Sequence, residues 1–207
     1  MALPENKIYL ASRSLRRREL LKQIGVKYKI LLMRETLSRP YDIDETPIQD
    51  ESPNDYVYRI TKIKVEAGWL RLTQRQLPLL PVLVADTVVS LDGCILGKPK
   101  NQAHAEEMLT ALSGRSHQVL TAIGVAYKNE MQIRLSTTTV RFRDITPQEI
   151  RYCINFDKVY DKAGAYAIQG LAATFIVEIC GSYSGVMGLP LFETSQLLEE
   201  VGIDIFK

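Results

Sequence analysis

Three consecutive arginines, Arg16, Arg17 and Arg18, open a helical pattern in YLASRSLRRRELLKQIG, at the end where the helix dipole repels cations. Ser14 is suited to cap that helix, its side-chain oxygen accepting from the free amides of the first turn. Leu20, Leu21 and Ile24 form the apolar stripe, and one turn back from the first two lie Arg16 and Arg17, while Arg18 aligns with Lys22 on the wet side. Two of the three arginines therefore point inward. Either they snorkel to the rim of the core or pair with carboxylates, or their planar forks and the first-turn amides converge on an oligoanion such as a phosphate chain.

Two more charged residues interrupt apolar rows. Lys64 shares a helix face with Val57, Ile60 and Ala67, which suits a snorkelling side chain or an anion-binding lysine. Asp86 shares a strand face with Val82, Val84 and Val88. A carboxylate there costs several kcal/mol of desolvation unless it meets a cation, a metal or a polar cleft, or caps a turn through backbone amides. With Lys98 in GKPKN and with Asp42, Asp44 and Glu45 in the acidic loop YDIDETP, these residues form a set of cations and carboxylates able to hold a divalent ion. A phosphoryl substrate requires such a set, because charge develops on its non-bridging oxygens as the bond breaks. Hydrolysis of a nucleotide anhydride is the reaction it suggests. Neither G-x-x-x-x-G-K-[ST] nor G-x-G-x-x-G occurs, so side chains and a helix start must hold the phosphates. No G-x-S-x-G elbow supports a nucleophilic triad.

The elements that carry these residues read as a mixed α/β chain. A strand at Ile8 to Ala11, the arginine helix and the strand KYKILL make a β-α-β opening, followed by an irregular loop from Met33 to Ser52. Ser52 and Pro53 start the Lys64 helix. PVLVADTVVSLDGCIL is a hairpin turning at Asp92-Gly93. Asn101 caps a helix ending near Ser113-Gly114, and strands Gln118 to Tyr127 and Gln132 to Phe142 pair antiparallel. Thr146, Pro147 and Glu149 open another helix with a capping box. DKAGAYAIQG lies against a ligand, with Gln169 reading its polar edges, or makes a tightly packed corner. A strand at Phe175 to Ile179, the turn GSYSGVMGLP and a helix from Pro190 close the chain.

The 207 residues suit one domain, 1–207, built on one core or on two lobes around a cleft. With 46% hydrophobic and 24% charged residues the composition is that of a folded globular protein. A net charge of +2, with no aromatics interleaved among the basic residues, argues against a nucleic-acid partner. The most apolar tract, LPLLPVLVADTVVSL, holds two prolines and an aspartate, so neither a signal peptide nor a membrane span is expected and the cytoplasm is the expected compartment. Cys94, Cys153 and Cys180 are odd in number and far apart, which predicts reduced, buried thiols. His104 and His117 lack ligand spacing with any cysteine, so zinc is not expected.

In order along the chain, LASRSLRRRELL, DYVYRITKIK, VADTVVSLDGCILGKPK, LSGRSHQVLTAIGV, TTTVRFR, DKAGAYAIQG and GLPLFE resemble the Maf-type nucleoside triphosphate pyrophosphatases, most of all their dTTP/UTP branch. The resemblance implies a mixed, strongly curved sheet with flanking helices and two lobes around a deep cleft. It implies hydrolysis of the α–β phosphoanhydride with Mg or Mn, releasing a monophosphate and pyrophosphate. By position, Ser12, Arg16 and Arg17 would grip the triphosphate and Lys64 and Lys98 would add positive charge. Asp86 would accept the proton of the attacking water and touch the metal, with Glu45 helping at the metal or base site, while Arg16, Thr87 and Gln169 match positions of substrate choice. Leu15 stands where the family usually has proline, and Gly185 where asparagine or alanine is usual. IQG in place of an SEG-like tract favours the dTTP/UTP branch. A homodimer is compatible with the resemblance. The alternative is a nucleotide-sensing regulator of cell division or septum formation without significant turnover.

Overall fold

In the computed structural model, residues 6–33 and 44–206 are described; Asp42 of the acidic loop lies outside them. The elements are β1 (Lys7–Leu10), α1 (Leu15–Gln23), β2 (Lys27–Ile30), α2 (Pro53–Gln74), β3 (Val82–Leu91), β4 (Cys94–Leu96), α3 (Gln102–Leu112), β5 (Ser116–Tyr127), β6 (Glu130–Phe142), α4 (Pro147–Asp157), β7 (Ile176–Cys180), α5 (Tyr183–Met187) and α6 (Leu191–Glu200), with three short 3-10 turns between α4 and β7. The caps are made by the expected residues. Ser14, Ser52 and Asn101 accept from the amides of Arg17, Asp55 and His104, and Thr146 and Glu149 form a reciprocal box. Asp92 and Gly93 both take positive φ, 50° and 80°, which the tight β3–β4 turn requires.

The sheet is mixed, in the order β2-β1-β3-β5-β6-β7, with β4 paired to the far end of β3. β1 runs parallel to β2 and β3, whereas β3, β5, β6 and β7 are antiparallel neighbours. One consequence of this register positions the site. Along one edge β3 pairs with β5 from Val82 to Ser90, but along the other it meets β1 only at Val82 and Leu83 and β4 only from Val89 to Leu91. The intervening residues, 84–88, have no strand on that edge among the described residues.

The side chains divide at the same level. β3 is buried from Val82 to Ala85 and from Val88 to Leu91, and only Asp86 and Thr87 between them are half-open. On the face of Thr87, one core gathers β1, α1 and α6 around Leu83, Ala85, Ile123 and Val125, and a second gathers α3 and α4 around Val89, Leu91, Val119 and Phe142. On the face of Asp86, α2 packs Val65 and Leu72 over Val82 and Val84, then Val57 and Ile60 over Val88. Removing each of these large aliphatic side chains from water contributes roughly 1.5–3 kcal/mol. No such contribution is made where the two polar residues interrupt the rows.

A helix brought this close needs a small residue beneath it. A Cβ at Gly124 of β5 would collide with Val65, so the glycine lets α2 settle near the sheet and delivers Lys64 to Asp86. The expectation of three buried thiols holds for Cys153 alone. All three are free, but Cys94 at the β4 hairpin and Cys180 at the end of the edge strand β7 are exposed. In both places no further layer covers the side chain among the described residues. No described helix is long and apolar enough to cross a membrane.

Candidate active site

The open edge of β3 forms the floor of a cleft of about 1400 Å³. All nine residues expected at the site, Ser12, Arg16, Arg17, Glu45, Lys64, Asp86, Thr87, Lys98 and Gln169, line it. A smaller hollow of about 370 Å³ beside Ser90, Gln118 and Thr139 holds none of them.

Lys64 sits between two carboxylates. Its Nζ lies 2.6 Å from Asp86 Oδ1 and 2.7 Å from Glu45 Oε1. Lys64 and Asp86 are mostly buried, with 17% and 16% of their side chains exposed, whereas Glu45 is 51% exposed. Burial alone would raise the Glu45 pKa, but Lys64, with Lys98 and Arg17 beyond it, outweighs burial and holds that carboxyl below its usual value. Tyr56 on α2 closes this side, its hydroxyl donating to the Glu45 carbonyl at 3.0 Å. Burial, then the charges of Asp86 and Glu45, push the Tyr56 pKa up to about 12, so it remains a neutral donor.

The opposite wall is built around Arg17. Its Nε donates to the Gly188 carbonyl at 2.7 Å, Nη1 to Ser12 Oγ at 3.2 Å and Nη2 to Thr87 Oγ1 at 3.2 Å. Among the described residues, three of the five guanidinium donors are thus committed to protein and two are left over. Burial pushes the Arg17 pKa down, opposed by the charge of Asp86. Behind it the threonines continue inward, Thr87 Oγ1 lying 2.9 Å from Thr121 Oγ1, which donates to the Gly185 carbonyl at 2.8 Å. Gly188 takes φ of +106°, and a Cβ there would meet Thr87 Oγ1 at 3.3 Å and Arg17 Nε at 3.6 Å. Only glycine suits that position.

Arg16, Lys98 and Gln169 face the cleft without a protein hydrogen bond among the described residues and are available to a ligand. Sequence reasoning missed Tyr56, Thr121 and the two carbonyls of α5 and its cap. Thr121 had a detectable signal, being a hydroxyl inside an apolar strand opposite another one. Backbone carbonyls leave no such mark.

The donor set suits a hard divalent cation. Asp86 Oδ2 and Glu45 Oε2 make no protein hydrogen bond among the described residues, and two carboxylates completed by substrate phosphates and water are what Mg takes. The described residues hold no group of three His, Cys, Asp or Glu side chains able to bind a metal on its own.

The family model for Maf-like protein matches residues 7–201. A dTTP/UTP pyrophosphatase of Nitrosomonas europaea is 70% identical over 201 residues, 97% of each chain, and one of Nitrosospira multiformis is 58% identical over 207 residues, 100% of each. The Staphylococcus aureus Ham1 protein, 20% identical over 67% of this chain and 72% of that one, is at a TM-score of 0.45 too distant to inform the site. The chain belongs to the Maf-like protein family.

Proposed function

We propose that this chain hydrolyses the α–β phosphoanhydride of dTTP and UTP, releasing the nucleoside monophosphate and pyrophosphate, within one domain and in the cytoplasm. The observation that carries the reading is Asp86 on an open strand edge, with Lys64 and Glu45 on one side and the Arg17 cluster on the other. The names of the two relatives supply the nucleotides.

In this reading the triphosphate lies along the open edge. Arg17 offers it the two uncommitted N–H groups, and Arg16 and Lys98 neutralise further phosphate oxygens. Ser12 donates its hydroxyl. Asp86 accepts the proton of the attacking water through Oδ2, the oxygen that Lys64 leaves free. Lys64 orients both carboxylates. A divalent ion, Mg or Mn, held by Asp86, Glu45 and the phosphate oxygens, would neutralise charge at the α-phosphoryl group. Gln169 and Thr87 face the nucleotide as the residues that select it, Gln169 with an amide able both to donate and to accept.

The test is pyrophosphate release from a panel of nucleoside triphosphates with Mg or Mn. Release from dTTP and UTP ahead of purine nucleotides is expected. Nucleotide binding without any release would leave a sensor and end the hydrolase reading.

A further inference from the structure

The hydroxyl chain behind Arg17 has a direction, and its chemistry is enough to settle it. A carbonyl oxygen can only accept, so the Thr121 proton is committed to Gly185 O at 2.8 Å. Thr121 Oγ1 must then accept from Thr87 across 2.9 Å. With its one proton committed, Thr87 meets the Arg17 Nη2 donor through a lone pair at 3.2 Å. The chain runs one way, from guanidinium to Thr87 to Thr121 to the Gly185 carbonyl. The second tie of Arg17, from Nε to Gly188 O, ends on the C-cap of the same short helix, α5.

Thr121 itself does not line the cleft and is 1% exposed, flanked in β5 by the fully buried Leu120 and Ala122. It lies in register with Thr87, at the level where the two cores on that face part. A hydroxyl sealed there adds nothing to either core. Its effect is on Thr87.

We propose that Thr121 is a positioning residue for the phosphoryl reaction, taking the Thr87 proton so that Thr87 is locked as an acceptor and holds Arg17 in one orientation. The role rests on the proposed pyrophosphatase reaction. A threonine locked in this way shows the cleft a lone pair and no proton. Anionic phosphate oxygens are therefore repelled from Thr87, beside Asp86, and directed to the two uncommitted N–H groups of Arg17. Without Thr121 the Thr87 proton becomes free to turn toward a phosphate, which then competes with Arg17 for register along the open edge.

The experiment is a double-mutant cycle on the full chain, comparing wild type, Thr121→Val, Thr87→Val and the double variant, with Thr121→Ser as the conservative control. Steady-state kcat/KM for UTP is measured well below each melting temperature and normalised to the fraction of sites that bind the α,β-imido analogue of UTP. Thr121→Val is expected to lose about tenfold in kcat/KM, Thr121→Ser to stay within about twofold of wild type, and Thr121→Val to cost less than about twofold more in the Thr87→Val background. An equal cost in both backgrounds would mark Thr121 as merely structural and overturn the proposal, as would wild-type kinetics in Thr121→Val. If the wild type binds the analogue but turns nothing over, the hydrolase reading fails by itself, and the same cycle read as affinity for the analogue decides Thr121. A wild type that binds no nucleotide overturns both.

Discussion

The two walls beside the open stretch of β3 are made of different materials. On the α2 side, Lys64 and two carboxylates attract one another through charge, and one of the three, Glu45, is half exposed on a loop. On the α1 side Arg17 is held by two neutral hydroxyls and one carbonyl, and the Thr87 hydroxyl is backed in turn by Thr121 and the Gly185 carbonyl in the core. The half-exposed Glu45 can exchange its ionic partner at little cost, because water and incoming charges replace it. Neutral hydrogen bonds anchored in a sealed sheet do not exchange, since an unpaired group there costs about 1–3 kcal/mol. In the proposed reaction the first wall would trade partners at Glu45, and the second would keep its geometry.

The strongest way to break that contrast is at Asp86. Asp86→Asn keeps the shape and a hydrogen-bond acceptor for Lys64 but removes the proposed base, so kcat is expected to fall about 10³-fold while nucleotide affinity holds or improves. Pyrophosphate release and calorimetric titration with the imido analogue read the two quantities separately. Near wild-type turnover would move the base elsewhere.

Arg17→Lys probes the fixed wall. A lysine keeps the charge but has one compact donor head in place of a planar fork, and it cannot reach Ser12, Thr87 and the Gly188 carbonyl together. The expected loss in kcat/KM is about 10²-fold, with faster amide hydrogen exchange across Tyr183 to Leu189 as the helix loses its tie. Full activity in this variant would mean that charge alone matters and that the two walls do not differ.

Glu45→Gln addresses the ionic wall, with an expected loss of about tenfold and a higher concentration of divalent ion for half-maximal rate. Its pH signature has a definite sign. The folded pKa of Glu45 lies below the ordinary 4.5, burial opposing and Lys64 prevailing, so the stabilising contribution of the carboxylate is complete above pH 4.5 and is lost as pH falls through the folded value. The stability difference between wild type and Glu45→Gln should therefore stay flat from neutral pH down to that point and shrink below it. A difference that begins to shrink near pH 6 would contradict the ion pair with Lys64.

Much of this was legible in the sequence, for local reasons. Caps at Ser14, Ser52, Asn101 and Thr146 are written in residue types that accept from free amides, and the inward cations and Asp86 show as breaks in apolar periods. Boundaries were close: strands expected at Gln118 to Tyr127 and Gln132 to Phe142 run from Ser116 and Glu130. KYKILL forms strand only to Ile30. The turn GSYSGVMGLP hides α5, five residues with a glycine inside, which forms because Ser182 caps it and Arg17 and Thr121 bind its carbonyls. Such a helix has too few turns to show periodicity. The free edge at residues 84–88 was also invisible, because it depends on where β1 stops and β4 begins against β3 rather than on any residue in β3. Proton direction along Thr87 and Thr121 needs atoms, not letters.

Ser12 marks the boundary between the two kinds of wall and is where the smallest effect is expected. Its Oγ accepts from the Ser14 amide and from Arg17 Nη1, both at 3.2 Å, which occupies its lone pairs and leaves its own proton without a protein acceptor among the described residues. That proton faces the cleft, where the proposed reaction would place a phosphate oxygen. Ser12→Ala removes one donor to the ligand and one acceptor for Arg17, but Ser12 lines open space, where water takes over both hydrogen bonds. A loss of about threefold to fivefold in kcat/KM is expected, near 1 kcal/mol and smaller than the loss from Thr121→Val. The ordering is the informative quantity: Ser12 lines the cleft and Thr121 does not, yet the sealed hydroxyl is expected to have the larger effect because nothing can replace it. Parallel kinetics on the two variants decide the matter, and a larger loss at Ser12 would show that contact with the ligand, not burial of the support, sets the contribution of each hydroxyl.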